Sequence, residues 1–457
     1  MHPPRPAISP RTVVAFAAFL ASSARVREAS AQNSDPFFYS SEAALSGGAV
    51  TATTRDAGAI WYNPAGLGGL RHDQVDVSAT TFGIRIRSMN DVLRTPVGGG
   101  VKGVDLRSAD ILSVPNAIGV VRRFTPRLSI GAGLFVNDRD VRATEDTSTI
   151  GLGPGEAFAP GTFRQRVDLS TDRNGYRFGP SLGYEVSPTF RFGVSVFGTY
   201  RTVSQFSQYS FDVASDDPSK EIDPSFVILQ SRSTTTAFGL TFQGGIQWIP
   251  SRGVHVGAVV RAPEFFLGSS DRGADVLASG NVDARARSVF ELTQPRTTDN
   301  AFSVVAPMRV VGSIAAEVGA RSWVAAEVDF QAGLSSSVAE RQPMVNARLG
   351  GVFALSEEWK VGVGIFSDRA PIRTLVSSFG ERVDYYGISG GIEKRTPLSI
   401  GSNPRPDALV LTTTLALRYA MGFANVRAVD LGDGAPPRTI TALYHDILPF
   451  FGSAVLF

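Results

Sequence analysis

The chain has 457 residues, of which 43% are hydrophobic and 19% are charged. Its 44 basic and 42 acidic residues leave a formal net charge of +2, which is too small for a protein that binds nucleic acid. It contains no cysteine, which excludes disulfides, thiolate metal sites and thiol nucleophiles. This length fits either one large barrel or two ordinary domains.

The first 31 residues have the features of an export signal. Two arginines precede an apolar run over residues 13–21, and Ala29, Ser30 and Ala31 supply small residues for a cleavage site. This run of about nine residues is too short for a membrane anchor, because a spanning helix needs roughly 20. We therefore predict a signal peptide over residues 1–31 and a mature chain that begins at Gln32.

Downstream of the signal, apolar residues alternate with polar residues or glycine. Leu128, Ile130 and Ala132, for example, alternate with Ser129 and Gly131, which is the two-residue repeat of a β-strand. The same pattern recurs over residues 190–201, 254–261, 324–330, 360–365 and 409–418. Each of these stretches has one apolar face and one face of polar residues or glycine.

The predicted connections fall into two length classes. Tight turns with proline, glycine or serine occur at "FTPRL", "VSPTF", "IPSRGV", "VGARSW" and "LSEEW". Long polar segments, which we predict to be loops, lie between them at residues 89–110, 139–165, 213–224, 269–284, 335–343, 369–381 and 424–437. Short turns on one rim and long loops on the other are typical of outer-membrane barrels, and counting gives about fourteen strands, with the first at residues 73–88.

These patterns predict an all-β fold, a transmembrane antiparallel β-barrel of about 14 strands in a bacterial outer membrane, with both termini periplasmic. Its apolar face would contact lipid, and polar side chains would face the lumen. The candidate lumen charges are Arg191, Arg201, Arg309 and Arg348. A secreted β-sandwich is the alternative, but it has no reason to divide its connections into two classes. The final Phe457 resembles the terminal aromatic residue of outer-membrane proteins, which implies recognition by their assembly machinery.

The segment before the first strand does not alternate. Residues 35–70 resemble the N-terminal hatch of the FadL-type outer-membrane transporters of long-chain fatty acids and aromatic hydrocarbons. The resemblance is carried by Ser40-Ser41, Gly48, Asp56-Ala57 and the run Tyr62-Asn63-Pro64-Ala65-Gly66-Leu67. Residues 113–136, 306–330 and 346–372 are similar to strand pairs of that family.

This resemblance implies a small N-terminal hatch, or plug, over residues 32–71 and a barrel over residues 72–457. It further implies that a ligand is captured at the outer face and released sideways through a gap in the wall. Gly131 and Gly133 could mark a lateral opening, or they could only allow close packing of the plug.

Several plug residues could contact a hydrophobic ligand. Phe37, Phe38, Trp61 and Tyr62 could bind an apolar tail or simply pack against the wall. The inward arginines could bind a carboxylate or could form ion pairs with Glu317, Glu327 or Asp329. Pro64 fixes φ and Gly66 tolerates positive φ, so the run Asn63 to Gly66 could form a rigid reversal that acts as a hinge or a plain turn.

Enzymatic interpretations fail on physical grounds. Gly-x-Ser-x-Gly occurs at residues 179–183 and 387–391, but both runs lie in alternating strands and not at a strand-to-helix turn. The histidines have no metal-ligand spacing, and we expect no cofactor and no metal. The sequence predicts passive uptake of a hydrophobic small molecule or fatty acid, with outer-membrane lipid and lipopolysaccharide as further partners and no nucleic acid. A general porin and an escort for exported proteins are the alternatives.

Overall fold

The computed structural model of the chain describes most residues after the predicted signal peptide. The described residues are Asn33, 36–97, 100–152, 161–216, 226–280, 289–300, 302–336, 340–372, Leu375, 380–398, 409–430 and 438–457. The predicted signal peptide, residues 1–31, and the predicted mature N-terminus, Gln32, lie outside them.

Strands dominate the described part of the chain. They are β1 (Gln74–Val97), β2 (Gly100–Arg123), β3 (Leu128–Leu152), β4 (Gly161–Ser187), β5 (Phe190–Ser215), β6 (Phe226–Ser251), β7 (Val254–Arg261), β8 (Glu264–Gly280), β9 (Val289–Asn300), β10 (Ser303–Ala306), β11 (Arg309–Gly319), β12 (Ser322–Gln331), β13 (Leu334–Ser335), β14 (Glu340–Arg341), β15 (Met344–Ala354), β16 (Trp359–Asp368), β17 (Glu381–Leu398), β18 (Leu409–Asp430) and β19 (Arg438–Leu456).

The main sheet closes on itself into a barrel. β1 pairs antiparallel with β2 on one side and with β19 on the other. At the closure, Asp73 and Phe457 exchange two backbone hydrogen bonds, of 3.0 and 3.1 Å. The prediction of an all-β barrel is therefore confirmed, and closure satisfies the backbone groups that an open sheet edge would leave unpaired.

Two passes of the wall are interrupted. β7 and β8 both pair with β6 and are separated only by Ala262 and Pro263, where the proline lacks a ladder donor. β10 and β11 likewise continue one another, pairing with β8 and β7. The main sheet contains 17 strands when each piece is counted separately. The number of passes depends on how such pieces are joined, so the figure of about fourteen remains a prediction.

Along β4 the apolar residues change from the outer face of the wall to the inner face. Near its tight turn, Phe178 and Tyr184 point outward while Arg177 and Ser181 are buried inside. Farther along the strand, buried residues alternate as before, but apolar ones now face inward and charged ones outward. We call the part of the wall nearest the tight turns the lower band, and we call the remainder the upper wall. On five of the long strands the lower band covers residues 74–88 of β1, 108–123 of β2, 175–187 of β4, 190–201 of β5 and 237–251 of β6.

Neighbouring strands show the same pattern, with apolar residues on the outer face in the lower band and on the inner face in the upper wall. In the lower band of β5, Phe192 and Val194 are 40% and 48% exposed on the outer face. In the upper wall, Leu106, Leu169 and Leu229 are buried inside and belong to one hydrophobic cluster. No helix among the described residues is long and apolar enough to cross a membrane.

The prediction of long polar loops is wrong over most of their described length. Residues 89–97, 100–110, 139–152, 161–165, 213–215, 269–280 and 424–430 are strand. Each of these stretches continues a strand into the upper wall, where polar residues on the outer face resemble loop composition. The first strand accordingly runs to Val97 and does not end at Ser88. The predicted loop residues that lie outside the described residues are 98–99, 153–160, 217–224, 281–284, 337–339, 373–374, 376–379 and 431–437.

Candidate functional site: the lumen and its N-terminal segment

Residues 36–70, which we call the lumen segment, lie inside the barrel. The segment contains helix α1 (Ser41–Leu45), helix α2 (Ala59–Tyr62) and a 3₁₀ helix, η1 (Pro64–Gly69). Wall residues from opposite sides of the closed sheet contact it. Asn116 of β2 donates to the carbonyl of Phe38 (3.1 Å), and Glu327 of β12 accepts from the amide of Thr51 (3.0 Å). The domain bounds at residues 31 and 71 remain predictions.

Trp61 is the centre of an aromatic cluster between the segment and the wall. Its ring centroid lies 4.4 Å from that of Tyr39 and 5.2 Å from that of Phe135, and its side chain is 1% exposed. The guanidinium of Arg261 lies 4.7 Å from the ring centroid, and that of Arg177 lies 5.3 Å away. These cation–π contacts connect the aromatic cluster to the charged residues of the lumen.

The other predicted aromatic residues are also buried. Phe38 packs edge to face against Phe366 at 6.0 Å, while Phe37 lies 5.8 Å below the guanidinium of Arg85. The Tyr62 hydroxyl accepts a hydrogen bond of 3.3 Å from the amide of Tyr39. All of these aromatic residues contact protein, so their role in ligand binding remains a prediction.

Asn63 joins the lumen segment to β6. Its amide nitrogen donates to the carbonyls of Thr51 (2.8 Å) and Ile246 (2.9 Å), and its amide oxygen accepts from the amide of Ala65 (3.1 Å). The last of these bonds caps η1, which has Pro64 at its first position. Asn63 is fully buried, and these three bonds hold it between the segment and the wall.

Gly66 is glycine for a different reason from the one that the sequence suggested. Among the described glycines, positive φ values occur at Gly47, Gly48 and Gly253, and Gly66 is instead part of η1. A Cβ on Gly66 would clash with the carbonyl oxygen of Thr54. Close backbone approach, and not a left-handed conformation, therefore requires glycine there.

The wall carries glycines wherever the segment approaches it most closely. A Cβ on Gly193 would clash with the carbonyl of Pro64, and one on Gly245 would clash with the side-chain oxygen of Asn63. We call these inward glycines the glycine belt, which comprises Gly183, Gly193, Gly245, Gly257, Gly350 and Gly364. Sequence reasoning missed the belt, although glycines on the polar face of alternating strands were its signal.

Polar side chains of β5 and β6 hold α2 in place. Gln243 donates to the carbonyls of Ile60 (2.8 Å) and Trp61 (3.0 Å), and the Ser195 hydroxyl donates to the carbonyl of Ile60 (3.0 Å). Gln247 donates to the carbonyl of Thr54 at 3.1 Å. Such bonds leave few buried polar groups of the segment unpaired, so the segment is bound as a specific structure.

Two of the predicted lumen charges form one ion-pair group. Arg309 donates through Nε to Asp329 at 2.7 Å, and Arg348 lies 2.5 Å from Glu327 and 3.6 Å from Asp329. Glu327 also accepts the Thr51 amide, so this group contacts the lumen segment. These two arginines therefore have protein carboxylates as partners.

The other two predicted charges lie apart. Arg191 pairs with Glu185 at 3.3 Å, close to Gly69 at the end of the segment. Arg201 lies 3.8 Å from Glu264, which also accepts a 2.5 Å hydrogen bond from Arg177. The four predicted arginines thus belong to three ion-pair groups, and those of Arg201 and Arg309 line one cavity.

A second charged group lines a small cavity of about 60 Å³ beside Asn33. Arg85 contacts both Asp446 (3.1 Å) and Asp140 (3.2 Å). The cavity lining contains five arginines and five carboxylates, namely Arg85, Arg87, Arg139, Arg173, Arg418, Asp138, Asp140, Asp368, Glu381 and Asp446. The signs balance, and we call this space the balanced cavity.

Gly131 and Gly133 lie in the paired part of the wall. They pair with Val121 and Gly119 of β2, and among the described residues the β2–β3 ladder ends at Ala117 and Phe135. Beyond that point β2 continues to pair with β1, and β3 with β4. The end of this ladder lies next to the two glycines, and a lateral opening there remains a prediction.

Glu42 of α1 is an acidic residue buried at the turn end of the lumen. Burial, and to a smaller extent the nearby negative charge of Asp56, raise its pKa to about 7, while Lys360 acts in the opposite direction. Burial also raises the pKa of Asp56. Protonation of Glu42 near neutral pH would therefore favour the packed position of α1.

Neither a known protein-family model nor a curated protein sequence matches this chain. Solved structures do resemble it. A Pseudomonas aeruginosa FadL homologue superposes with a TM-score of 0.57 at 12% identity, covering 93% of this chain and 99% of that one. The Pseudomonas putida toluene transporter TodX gives 0.53 at 14% identity over 93% and 99% of the two chains. The Ralstonia pickettii toluene transporter TbuX gives 0.51 at 13% over 92% and 98%.

Together these findings define the class as a closed β-barrel with an N-terminal segment in its lumen. The chain has a FadL-like fold, as the resemblance of its N-terminal segment predicted. At these identities the likeness concerns the fold, and the cargo has to be argued from the residues of this chain.

Proposed function

We propose that this protein is a channel for passive uptake of hydrophobic compounds, such as long-chain fatty acids or hydrocarbons, across a bacterial outer membrane. The observation that carries the proposal is the lower band, whose outer face is apolar while its lumen is polar and filled by the lumen segment. An apolar outer band is what a barrel needs in lipid, since an arginine on that face costs roughly 2–4 kcal/mol near the midplane.

The orientation follows from the two ends of the wall. The tight turns and both chain termini would face the periplasm, and the upper wall would project from the cell, where its charged outer face contacts water. Lipid and lipopolysaccharide would contact the outer face of the wall. Phe457 would serve recognition by the assembly machinery.

The lumen segment would act as a plug. Its contacts with the glycine belt and with Gln243 support a closed resting state, because a barrel of this size with an empty lumen would pass small solutes. Ligand would leave sideways where the β2–β3 ladder ends, beyond Ala117 and Phe135. The similar structures are transporters and not enzymes, which supports transport as the role of this chain.

Uptake by whole cells tests the proposal. The full chain would be produced in a bacterium that lacks its own long-chain fatty acid channel, and initial uptake of radiolabelled oleate and toluene would be measured. We expect uptake of at least one of them above that of cells with an empty vector, with no added energy source. Absence of uptake of both, with the protein folded in the outer membrane, would contradict the proposal.

Two further outcomes would also contradict it. Equal uptake of hydrophilic sugars of similar size would identify a general porin. Co-purification of one exported protein in fixed ratio, together with loss of that protein's secretion on deletion of the channel, would identify an escort.

A further inference from the structure

β2 and β3 separate part-way up the wall. Among the described residues their ladder ends at Ala117 and Phe135. Asn116 has no register partner on β1, and Asn137 has none on β4, so each strand carries a β-bulge at this point. Pro115, which precedes Asn116, has no N–H to donate to a ladder. These features end the pairing, and we call the unpaired stretch beyond it the seam.

The lumen segment bonds to both strands where the seam begins. Asn116 of β2 donates to the carbonyl of Phe38 at 3.1 Å. The Tyr39 hydroxyl donates to the carbonyl of Val136 on β3 at 3.2 Å, and its ring packs edge to face against Phe135 with 5.6 Å between the centroids. Two adjacent residues of the segment therefore join the strands at the point where their own ladder stops. We call this connection the lower bridge.

Arg85 spans the seam farther up. It belongs to β1, and β2 lies between β1 and β3 in the sheet. Its Nη1 donates to the carbonyl of Arg139 on β3 at 2.9 Å and lies 3.2 Å from the carboxylate of Asp140. Asp446 of β19 holds the same guanidinium at 3.1 Å. The side chain therefore reaches past β2 to β3, and we call this connection the upper bridge.

The two bridges bound a short length of β3. Val136 and Arg139 are three residues apart, which corresponds to about 10 Å at the rise of a strand. The inner face beside this length is apolar, since Leu112 and Val114 of β2 and Phe135 of β3 are buried there. A gap of this size and lining suits a single hydrocarbon chain.

The lower bridge is weaker than the upper bridge where each meets β3. The contact of Tyr39 with Val136 is one hydrogen bond between neutral groups, whereas the upper bridge places a guanidinium beside two carboxylates. Charge-assisted hydrogen bonds are roughly twice as strong as neutral ones. The seam should therefore part first at Tyr39, while the upper bridge holds its far end.

We propose that Tyr39 holds shut a side exit between Val136 and Arg139, and that cargo leaves when the Tyr39 hydroxyl releases β3. Because Tyr39 belongs to the lumen segment, the shift of the segment that unplugs the lumen would also open the exit. Tyr39 is thus a positioning residue, which holds the segment against the wall and need not bind cargo. The inference rests on the proposed function, since sideways release is part of it.

Distances between spin labels test this role. The chain has no cysteine, so labels can be attached at Ser113→Cys on β2 and Ala143→Cys on β3, which lie on the outer face at the two sides of the seam. The full chain would be refolded in lipid vesicles and measured by electron paramagnetic resonance. Tyr39→Phe keeps the ring and removes the donor, so we expect the fraction of molecules with the longer distance to rise about threefold to tenfold. An unchanged distance distribution in a folded barrel would overturn the proposal.

Two controls separate release of the seam from general loosening of the barrel. Tyr176→Phe makes the same substitution on β4, in register with Val136 but outside the lumen segment, and should leave the distance unchanged. Labels at Ser204→Cys and Thr234→Cys lie across the continuous β5–β6 ladder and should report the same distance with and without Tyr39→Phe. Equal changes at both label pairs would show that Tyr39 only stabilises the barrel, and would contradict the proposal.

The first pair of cysteines also tests the exit in cells. A short bis-maleimide that links Ser113→Cys to Ala143→Cys should abolish uptake of oleate and toluene, whereas the protein with Ser113→Cys alone should keep it after the same treatment. Wild-type uptake after complete cross-linking would overturn the side exit. If the wild-type chain takes up neither compound, the proposed function fails, and the spin-label distances still decide whether Tyr39 holds the seam.

Discussion

The lower band and the upper wall are built from the same strands with opposite chemistry. On β4, Phe178 and Tyr184 face outward in the lower band, whereas Arg164 and Arg166 face outward in the upper wall. The buried positions alternate along almost the whole strand, so the backbone does not change its direction of burial. The residues on the outer face therefore change along the strand because the surroundings of the wall change from lipid to water.

This difference explains why some strands of the barrel, at 24 to 27 residues, are longer than a membrane crossing requires. A strand needs only about 9–11 residues to cross a membrane. Above that band the wall has an ordinary hydrophobic interior, in which Leu106, Leu169 and Leu229 pack together. The upper wall is thus stabilised as a soluble β-structure is, by apolar burial on its inner face.

The largest effect should come from a cavity in the upper wall. Leu106→Ala should lower the free energy of unfolding by about 2–5 kcal/mol, because Leu106 is fully buried in the apolar interior. Leu292→Ala on β9, also in the upper wall, is the matched control, since Leu292 is 42% exposed. Urea unfolding in detergent measures both variants, and equal losses would contradict the apolar interior of the upper wall.

The second largest effect should come from a charge placed on the outer face, which should destabilise the lower band but not the upper wall. Val194→Arg places a cation on the apolar outer face of the lower band and should cost roughly 2–4 kcal/mol in lipid. Ser204→Arg, ten residues along the outer face of β5 in the upper wall, should change stability little. Folding into vesicles, followed by the mobility shift on heating, measures both. Similar losses of stability at the two positions would show that the boundary between the lower band and the upper wall is not the membrane boundary.

A smaller effect is expected where the lumen segment joins the lower band. Asn63→Ala removes three hydrogen bonds and leaves the carbonyls of Thr51 and Ile246 without this donor, at a cost of about 1–3 kcal/mol. Hydrogen exchange of the segment amides should become faster while that of the upper wall stays unchanged. Asn425→Ala, at an exposed position of β18, is the control. Unchanged exchange in Asn63→Ala would show that Asn63 does not hold the segment.

The smallest effect is a pH dependence confined to the lumen segment. The pKa of Glu42 is raised from 4.5 to about 7 by burial, so the packed state binds a proton that the released state loses. Packing is then strongest below pH 4.5 and weakens as the pH rises to about 7. Hydrogen exchange of α1, corrected for its intrinsic pH dependence, should report this change, and Glu42→Gln should abolish it. A segment that packs more firmly as pH rises would contradict this sign.

Sequence alternation predicted the lower band well because one face there is apolar and the other is polar. Residues 190–201 follow this pattern and form the start of β5. The upper wall escaped prediction because its outer residues, such as Arg164 and Asp168, have the composition of loops. The resemblance of residues 35–70 to a FadL-type hatch correctly indicated the fold.

The site was less predictable because its pairs are distant in sequence. Arg177 and Glu264 are 87 residues apart, and the carboxylate that each lumen arginine contacts depends on register and on the segment. Gly245 could be assigned to an inward face, but only the structure identifies Asn63 as the group that excludes a side chain there.

Conductance across a planar bilayer tests most directly whether the lumen segment closes the channel. The wild-type protein should be nearly silent, and Gly245→Val should conduct, because a side chain there collides with Asn63 and displaces the segment. Gly244→Val should remain silent, since a Cβ at Gly244 meets no atom closer than 4.0 Å. A large steady conductance of the wild-type protein, or silence of Gly245→Val in a folded barrel, would contradict the account.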